Sequence, residues 1–240
     1  MSTEEMEVQV EETPVVVKPQ SREEVLERMA QNRDLAHTDL SGLDLVGIKF
    51  TGLKMNGVNM ADTDLAGGIF AGAEMAEADL TNADMAEAKL MGVNLAKSVL
   101  RKVQLMGAKL MGVSMPDSDL SGADLTDAKL MGVSMQNSNL TESKLLAAKV
   151  MGGNLKGTNL TGADLTGSTL KNCDVADADF SGVDTTGAKA KNINWAAAKV
   201  PPETLPEELP SPPPWLPGVI AGVVVVLLIV VLKKKKKGKE

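Results

Sequence analysis

The chain has little of what enzymes and ordinary globular cores are built from. Its 240 residues include one cysteine, one histidine and no tyrosine, and aromatic residues make up 2%. A lone Cys173 excludes an intramolecular disulfide framework. With His37 as the single histidine, a Cys/His zinc site is excluded within one chain. So is a Ser–His or Cys–His nucleophile pair that does not use Cys173 or His37. No catalytic, cofactor or metal constellation can be assembled, which points away from an enzyme. The shortage of rings excludes the aromatic filling that usually dominates core burial. A narrow, repetitive interior of Leu, Met, Val, Ala and small polar residues fits this composition.

Charge is unevenly spread along the chain. The formal net charge is −7, yet residues 233–240 alone carry six lysines and one glutamate. Residues 1–33 carry eight acids and four bases, and residues 34–200 carry twenty acids and fifteen bases. The only strongly basic stretch therefore follows an apolar run directly, which points to a membrane surface and away from nucleic acid as partner.

What is present is a strict period. Every fifth residue from Leu35 to Phe180 is Leu, Met, Phe or Val, without a gap. Neither a helix (period 3.6) nor a strand (period 2) produces this. Two positions before each centre the residue is usually small, as at Ala78, Ala83, Ala88, Ser98, Ala123 and Ala128. The residue between is often Asp or Asn, as at Asp79, Asp84, Asn94 and Asp124. Stretches such as Ala78-Asp79-Leu80-Thr81-Asn82 and Ala163-Asp164-Leu165-Thr166-Gly167 closely resemble the A(D/N)LXX unit of pentapeptide-repeat proteins. That resemblance implies an all-β fold, a right-handed quadrilateral β-helix with four pentapeptides per square coil. The centre and the small residue two before it would point inward. Stacked at ~4.8 Å, the coils would make a rod of roughly 36 Å. Cys173 falls on a small inward position, where a thiol is expected to be buried and inert.

The flanking segments complete the expected domain map. Residues 1–20 are acidic and aperiodic and read as disordered. Ser21 and Glu24 form a capping box that opens a helix over 21–33, with Val25, Leu26 and Met29 placed to cover the first coil. The repeat domain spans 34–200, and Trp195 is placed to plug its last coil. Residues 201–214 hold seven prolines and read as a semi-stiff linker. Residues 215–232 carry no charge and would span ~27 Å as a helix, enough for a transmembrane helix. Trp215 would anchor one interface, with Lys233, Lys234, Lys235, Lys236 and Lys237 of the 233–240 basic tail at the other. Topology is pulled two ways. The positive-inside rule places the solenoid outside, whereas the acidic start lacks a signal-peptide apolar core. A single-pass protein with a cytosolic solenoid is the expectation.

A second period of twenty residues marks the candidate surface. KLMGVNL begins at Lys89, KLMGVSM at Lys109 and Lys129, and KVMGGNL at Lys149. With four pentapeptides per coil, Lys89, Lys109, Lys129 and Lys149 should form one outward column. Met91, Met111, Met131 and Met151 should form another beside it. Exposed methionines in register suit a protein partner or self-association. Asp44, Asp64, Asp84, Asp124, Asp164 and Asp184 should line a different face. The function that follows is a non-enzymatic, membrane-anchored scaffold presenting a rigid rod to protein partners. The resemblance also implies an alternative, since some pentapeptide-repeat proteins mimic DNA and bind a type II topoisomerase.

Overall fold

A computed structural model describes residues 18–210. The chain forms two compact units, Met1–Glu207 and Glu208–Glu240. Only residues 208–210 of the second lie within the described range.

The first unit is a parallel β-solenoid of about eight turns, and the five-residue period builds it directly. Each centre from Leu35 to Phe180 points inward, nearly all below 3% exposed. The residue two after each centre makes a corner. From His37 to Asn192 every such residue has φ between +52° and +71°. The turn is closed by the third amide, as when Ala128 N donates to Leu125 O at 3.0 Å. Glycine is common at these corners because only it adopts a left-handed φ without a Cβ penalty. Asn and Asp occupy many of the others, the residues that tolerate that region best.

Four sides repeat at twenty residues. Three are held by single parallel bridges, such as Asp34↔Lys54, Asp39↔Asn59 and Asp44↔Asp64. The fourth is a ladder of eight short strands: β1 Lys49–Thr51, β2 Ile69–Ala71, β3 Lys89–Met91, β4 Lys109–Met111, β5 Lys129–Met131, β6 Lys149–Met151, β7 Thr169–Lys171 and β8 Lys189–Lys191. Successive strands pair in parallel, each residue with the one twenty further on. No insertion interrupts the stack from Leu35 to Phe180, whereas in the last coil Asp179 bridges Val200, twenty-one residues on.

The interior is graded by local volume. Phe50 and Phe70 stack with ring centroids 4.8 Å apart. A Cβ at Gly68 would lie 2.9 Å from Leu65 O and 3.1 Å from Phe70 Cε2. Gly68 is therefore the space the second ring needs. Elsewhere the small inward positions carry a buried hydroxyl ladder. Ser98, Ser118, Ser138 and Thr158 donate to Met75 O, Leu95 O, Met115 O and Met135 O at 2.7–2.9 Å. Ser118 Oγ also accepts from Ser98 N at 3.3 Å. Ser168 differs: its hydroxyl is buried with no hydrogen-bond partner, between Ala148 and Ala188 in the same column. Ser118→Ala should cost about 1–2 kcal/mol, whereas Ser168→Ala should be neutral or stabilising by up to about 1 kcal/mol. Thermal denaturation of the two single variants checks this. Cys173 is buried as expected, its Sγ 3.6 Å from Val150 O, and burial pushes the thiol pKa up, away from reactivity.

Both ends of the solenoid are covered. Helix α1 spans Arg22–Gln31 with Ser21 as its cap, whose Oγ accepts from Glu24 N at 3.3 Å. Glu24 reaches back to Gln20 N at 2.8 Å, one residue before the amide a standard capping box engages. Val25 is fully buried and Met29 packs on the core, but Leu26 is 43% exposed. At the far end Trp195 meets Phe180 edge-on, centroids 5.4 Å apart. The proline-rich stretch begins against the solenoid instead of leaving it: Pro202 and Pro206 are buried. Thr204 O accepts from Thr185 Oγ1 at 2.6 Å, and Glu207 N donates to Ala188 O at 2.9 Å.

The expectation of a single-pass membrane protein with a cytosolic solenoid is corrected. Among the described residues no helix is long and apolar enough to cross a membrane. The one α-helix there, α1, has ten residues, or about 15 Å, half of a hydrocarbon core. The segment 215–232, Trp215 and Lys233 to Lys237 lie outside the described residues, so no bilayer contact follows from the fold.

Candidate interaction surface

The strand side of the solenoid differs chemically from the other three. Each strand presents its middle residue inward and its two flanking residues outward. The register stacks Lys89, Lys109, Lys129 and Lys149 in one column, and Met91, Met111, Met131 and Met151 in a second. Both expected columns are therefore in place. The four methionines are 40–46% exposed, whereas Met55, Met60, Met75, Met85, Met115 and Met135 are buried in the core.

The side extends beyond those eight residues. Lys49 and Lys189 continue the first column, and Lys171 and Lys191 continue the second. No Asp or Glu occurs on β1 to β8, and the carboxylates of the sheet are Glu207 and Glu208 of its ninth short strand, β9 Glu207–Glu208. The lysines Lys89, Lys109, Lys129 and Lys149 make no ion pair among the described residues. All twenty carboxylates of residues 34–200 stand on the other three sides and their corners, with seven bases. A net charge of −5 over residues 34–200 thus conceals one side whose first eight strands carry only basic charge, on an otherwise acidic prism. Sequence reasoning found the repeated KLMG core of this side and missed Lys49, Lys171, Lys189 and Lys191. Those residues lie outside the repeated motif, and only their positions modulo twenty could have revealed them.

The aspartate column has a structural use. Asp44, Asp64, Asp84, Asp124, Asp164 and Asp184 each accept, through Oδ1, from the backbone amide two residues on, at 2.8–3.2 Å. These Asx turns brace each corner, which explains the preference for Asp or Asn before the centre. Gln104 and Lys144 interrupt the column, and Lys144 lies 3.9 Å from Asp124. Among the described residues no group of His, Cys, Asp and Glu is arranged to hold a metal ion.

Several of the aspartates that stand just before the centres have pKa values below the ordinary carboxylate range. For Asp39, Asp179 and Asp184 the main cause is a hydroxyl, from Ser41, Ser181 and Thr186 respectively. Partial burial pushes Asp119 upward, and the hydrogen bonds from Arg101 and Ser121 outweigh it. Arg101 Nε lies 2.5 Å from Asp119. Depressed folded values add stability above the unfolded carboxylate pKa of about 3.9, and that stability is lost as pH falls through the lower folded values. The melting temperature should therefore fall as pH is taken below about 4. Asp119→Asn should blunt that fall, measured by thermal scans across pH.

A stack of five-residue rungs in register, with one side patterned unlike the other three, defines a repeat solenoid. The chain belongs to the pentapeptide repeat family, whose eight matched copies cover residues 34–67, 59–95, 88–127, 117–146 and 151–187. Proteins of this family are generally non-enzymatic. Among solved structures, the chain is similar to QnrB1 with residue 167 changed from Arg to Glu and treated with trypsin, described as a plasmid-mediated fluoroquinolone resistance protein. Identity is 18% over 73% of this chain and 91% of that one, with a TM-score of 0.46. It is also similar to HetL of the cyanobacterium Nostoc sp. strain PCC 7120, described as involved in heterocyst differentiation regulation. Identity there is 22% over 78% of this chain and all of that one, with a TM-score of 0.31. Rfr23 of the cyanobacterium Cyanothece 51142 is 19% identical over 71% of this chain and 96% of its own, with a TM-score of 0.17. No curated protein matches the chain.

Proposed function

We propose that the protein is a non-catalytic scaffold whose strand side docks a protein partner with an acidic surface. The carrying observation is the middle of the side: Lys89, Lys109, Lys129 and Lys149 beside four half-exposed methionines in register, with no carboxylate on strands β1 to β8. Exposed apolar area in a continuous strip marks contacts, and the like charges of Lys89, Lys109, Lys129 and Lys149 beside it select a partner of opposite sign and raise its encounter rate. The solenoid contributes rigidity, because every rung is hydrogen-bonded above and below, so little ordering entropy is lost on docking. Replacing Met91, Met111, Met131 and Met151 with Gln should leave the melting temperature within about 2 °C, since these side chains do not enter the core. The same variant should lose partner capture, or change oligomeric state if the partner is a second copy. A variant that folds and keeps both properties would reduce the strip to a relic of coil duplication.

A second reading has its own observation. The other three sides gather twenty carboxylates against seven bases, which supports mimicry of a duplex polyanion and binding to a type II topoisomerase. The basic strand side argues against it, because a duplex mimic needs negative charge around its circumference. A gyrase supercoiling assay separates the readings: inhibition or protection at low protein concentration would place topoisomerase binding first.

A further inference from the structure

The strand side has a geometry that selects the shape of its partner as well as its charge. Met91, Met111, Met131 and Met151 form one ledge, and Lys89, Lys109, Lys129 and Lys149 form a second, two residues away on the same strands. Between them Leu90, Leu110, Leu130 and Val150 point inward, leaving a floor of backbone. Beyond the methionines the corners are Gly92, Gly112, Gly132 and Gly152, where an added Cβ would meet nothing within 4 Å. That edge carries no side chain to obstruct an approach from the methionine side.

The rungs stand ~4.8 Å apart, so the methionines fall at about 0, 4.8, 9.6 and 14.4 Å along the axis. An α-helix laid along that axis presents residues i, i+3, i+7 and i+10 in one row. At ~1.5 Å per residue they fall at about 0, 4.5, 10.5 and 15 Å. The two ladders agree within about 1 Å over all four rungs. An extended peptide cannot follow them, because its same-face residues are ~6.8 Å apart and it is out of step by ~2 Å after one rung. The charge pattern fixes the neighbouring row. Four unpaired ammonium groups at the helix-like spacing call for carboxylates beside the apolar stripe.

We propose that this side binds an acidic amphipathic α-helix laid along the solenoid axis. Its apolar residues at i, i+3, i+7 and i+10 rest on the four methionines, and Asp or Glu in the adjacent row face the four lysines. The inference rests on the reading of the strand side as the contact surface. Methionine suits it, since a flexible thioether adapts to absorb a mismatch of about 1 Å. The bidding energy comes from apolar burial, while the lysines set direction and encounter rate.

The test uses the full chain and a synthetic probe of about sixteen residues. The probe has Leu at i, i+3, i+7 and i+10, Glu at i+4, i+8, i+11 and i+15, and Ala elsewhere. A control peptide of the same composition alternates Leu and Glu at every second position, a strand pattern. Fluorescence anisotropy should show the helical probe bound at least about tenfold tighter than the control. Circular dichroism should show added helix on mixing. Binding should fall at least about tenfold in the quadruple Met→Gln variant and in the Lys109→Glu, Lys129→Glu double variant. Equal binding of the control, or no binding of the helical probe to the unmodified chain, would overturn the proposal. Should the helical probe fail while the quadruple Met→Gln variant still loses its partner or oligomeric state, the contact surface stands and the helical occupant is refuted. Should that variant also change nothing, both readings fall together.

Discussion

Leu125→Asp should abolish the folded state, while Thr126→Asp, one residue away, should shift stability by less than about 1 kcal/mol. Leu125 is fully buried, its amide bonded to Lys144 O at 2.7 Å. A carboxylate there would stand between Leu105 and Leu145 in the same inward column, with no cation and no solvent. An uncompensated buried charge of this kind costs several kcal/mol, comparable with the whole stability of a domain. A globular core might turn the side chain outward by moving a loop. Here the five-residue frame offers no such loop, because the next rung begins immediately. Thr126 is half-exposed, and its amide still donates the Asx-turn bond to Asp124 Oδ1 at 3.0 Å. Thermal denaturation of the two variants measures the difference, and equal shifts would show that the inward and outward assignment is wrong.

Deleting residues 124–128 should keep the fold and destroy the candidate surface. Removing one pentapeptide leaves every later centre inward, so the hydrophobic stack and the corner turns survive. It also rotates all following sides by one quarter of a coil. Lys129, Met131, Lys149 and Met151 would then leave the column that contains Lys89, Met91, Lys109 and Met111. Deleting residues 109–128, a complete coil, should instead shorten the rod and leave three methionines still in register. The expected result is cooperative unfolding in both variants, with partner or helical-probe binding lost only in the first. Binding retained by the five-residue deletion would show that the contact does not depend on stacked columns. Loss of folding in both would show that the coil is less tolerant than its repeat implies.

The two deletions separate the two levels of information in the chain. The period of five was readable because each rung buries its own Leu or Met, an interaction local in sequence and repeated thirty times. The period of twenty was readable only where the motif KLMG recurs. Lys49, Lys171, Lys189 and Lys191 share the same side, but their neighbours are Phe50, Leu170 and Ala190 within IKFTG, STLKN and AKAKN, so no recurring motif marks them. The Ser21 cap was legible, because it is set by a bond within one helical turn, whereas Glu24 accepts from Gln20 N instead of the Ser21 amide. The exposure of Leu26 was not, because only the angle at which α1 meets the first coil decides which side of a helix is covered. The same holds for Pro202 and Pro206, which composition places in a spacer and which the last coil buries.

The sequence by itself determined the solenoid, its phase and its inward residues, since a strict five-residue repeat has one way to bury its centres. It also determined that Cys173 would be an inert, buried thiol. The tertiary structure decided where the charges outside the repeated motif fall, bringing Lys49, Lys171, Lys189 and Lys191 onto the strand side. Residues twenty apart become neighbours at ~4.8 Å only after the coils stack. A modest net charge then resolves into one basic, methionine-bearing side and three acidic ones, because stacking sums like charges along columns that the linear chain keeps apart.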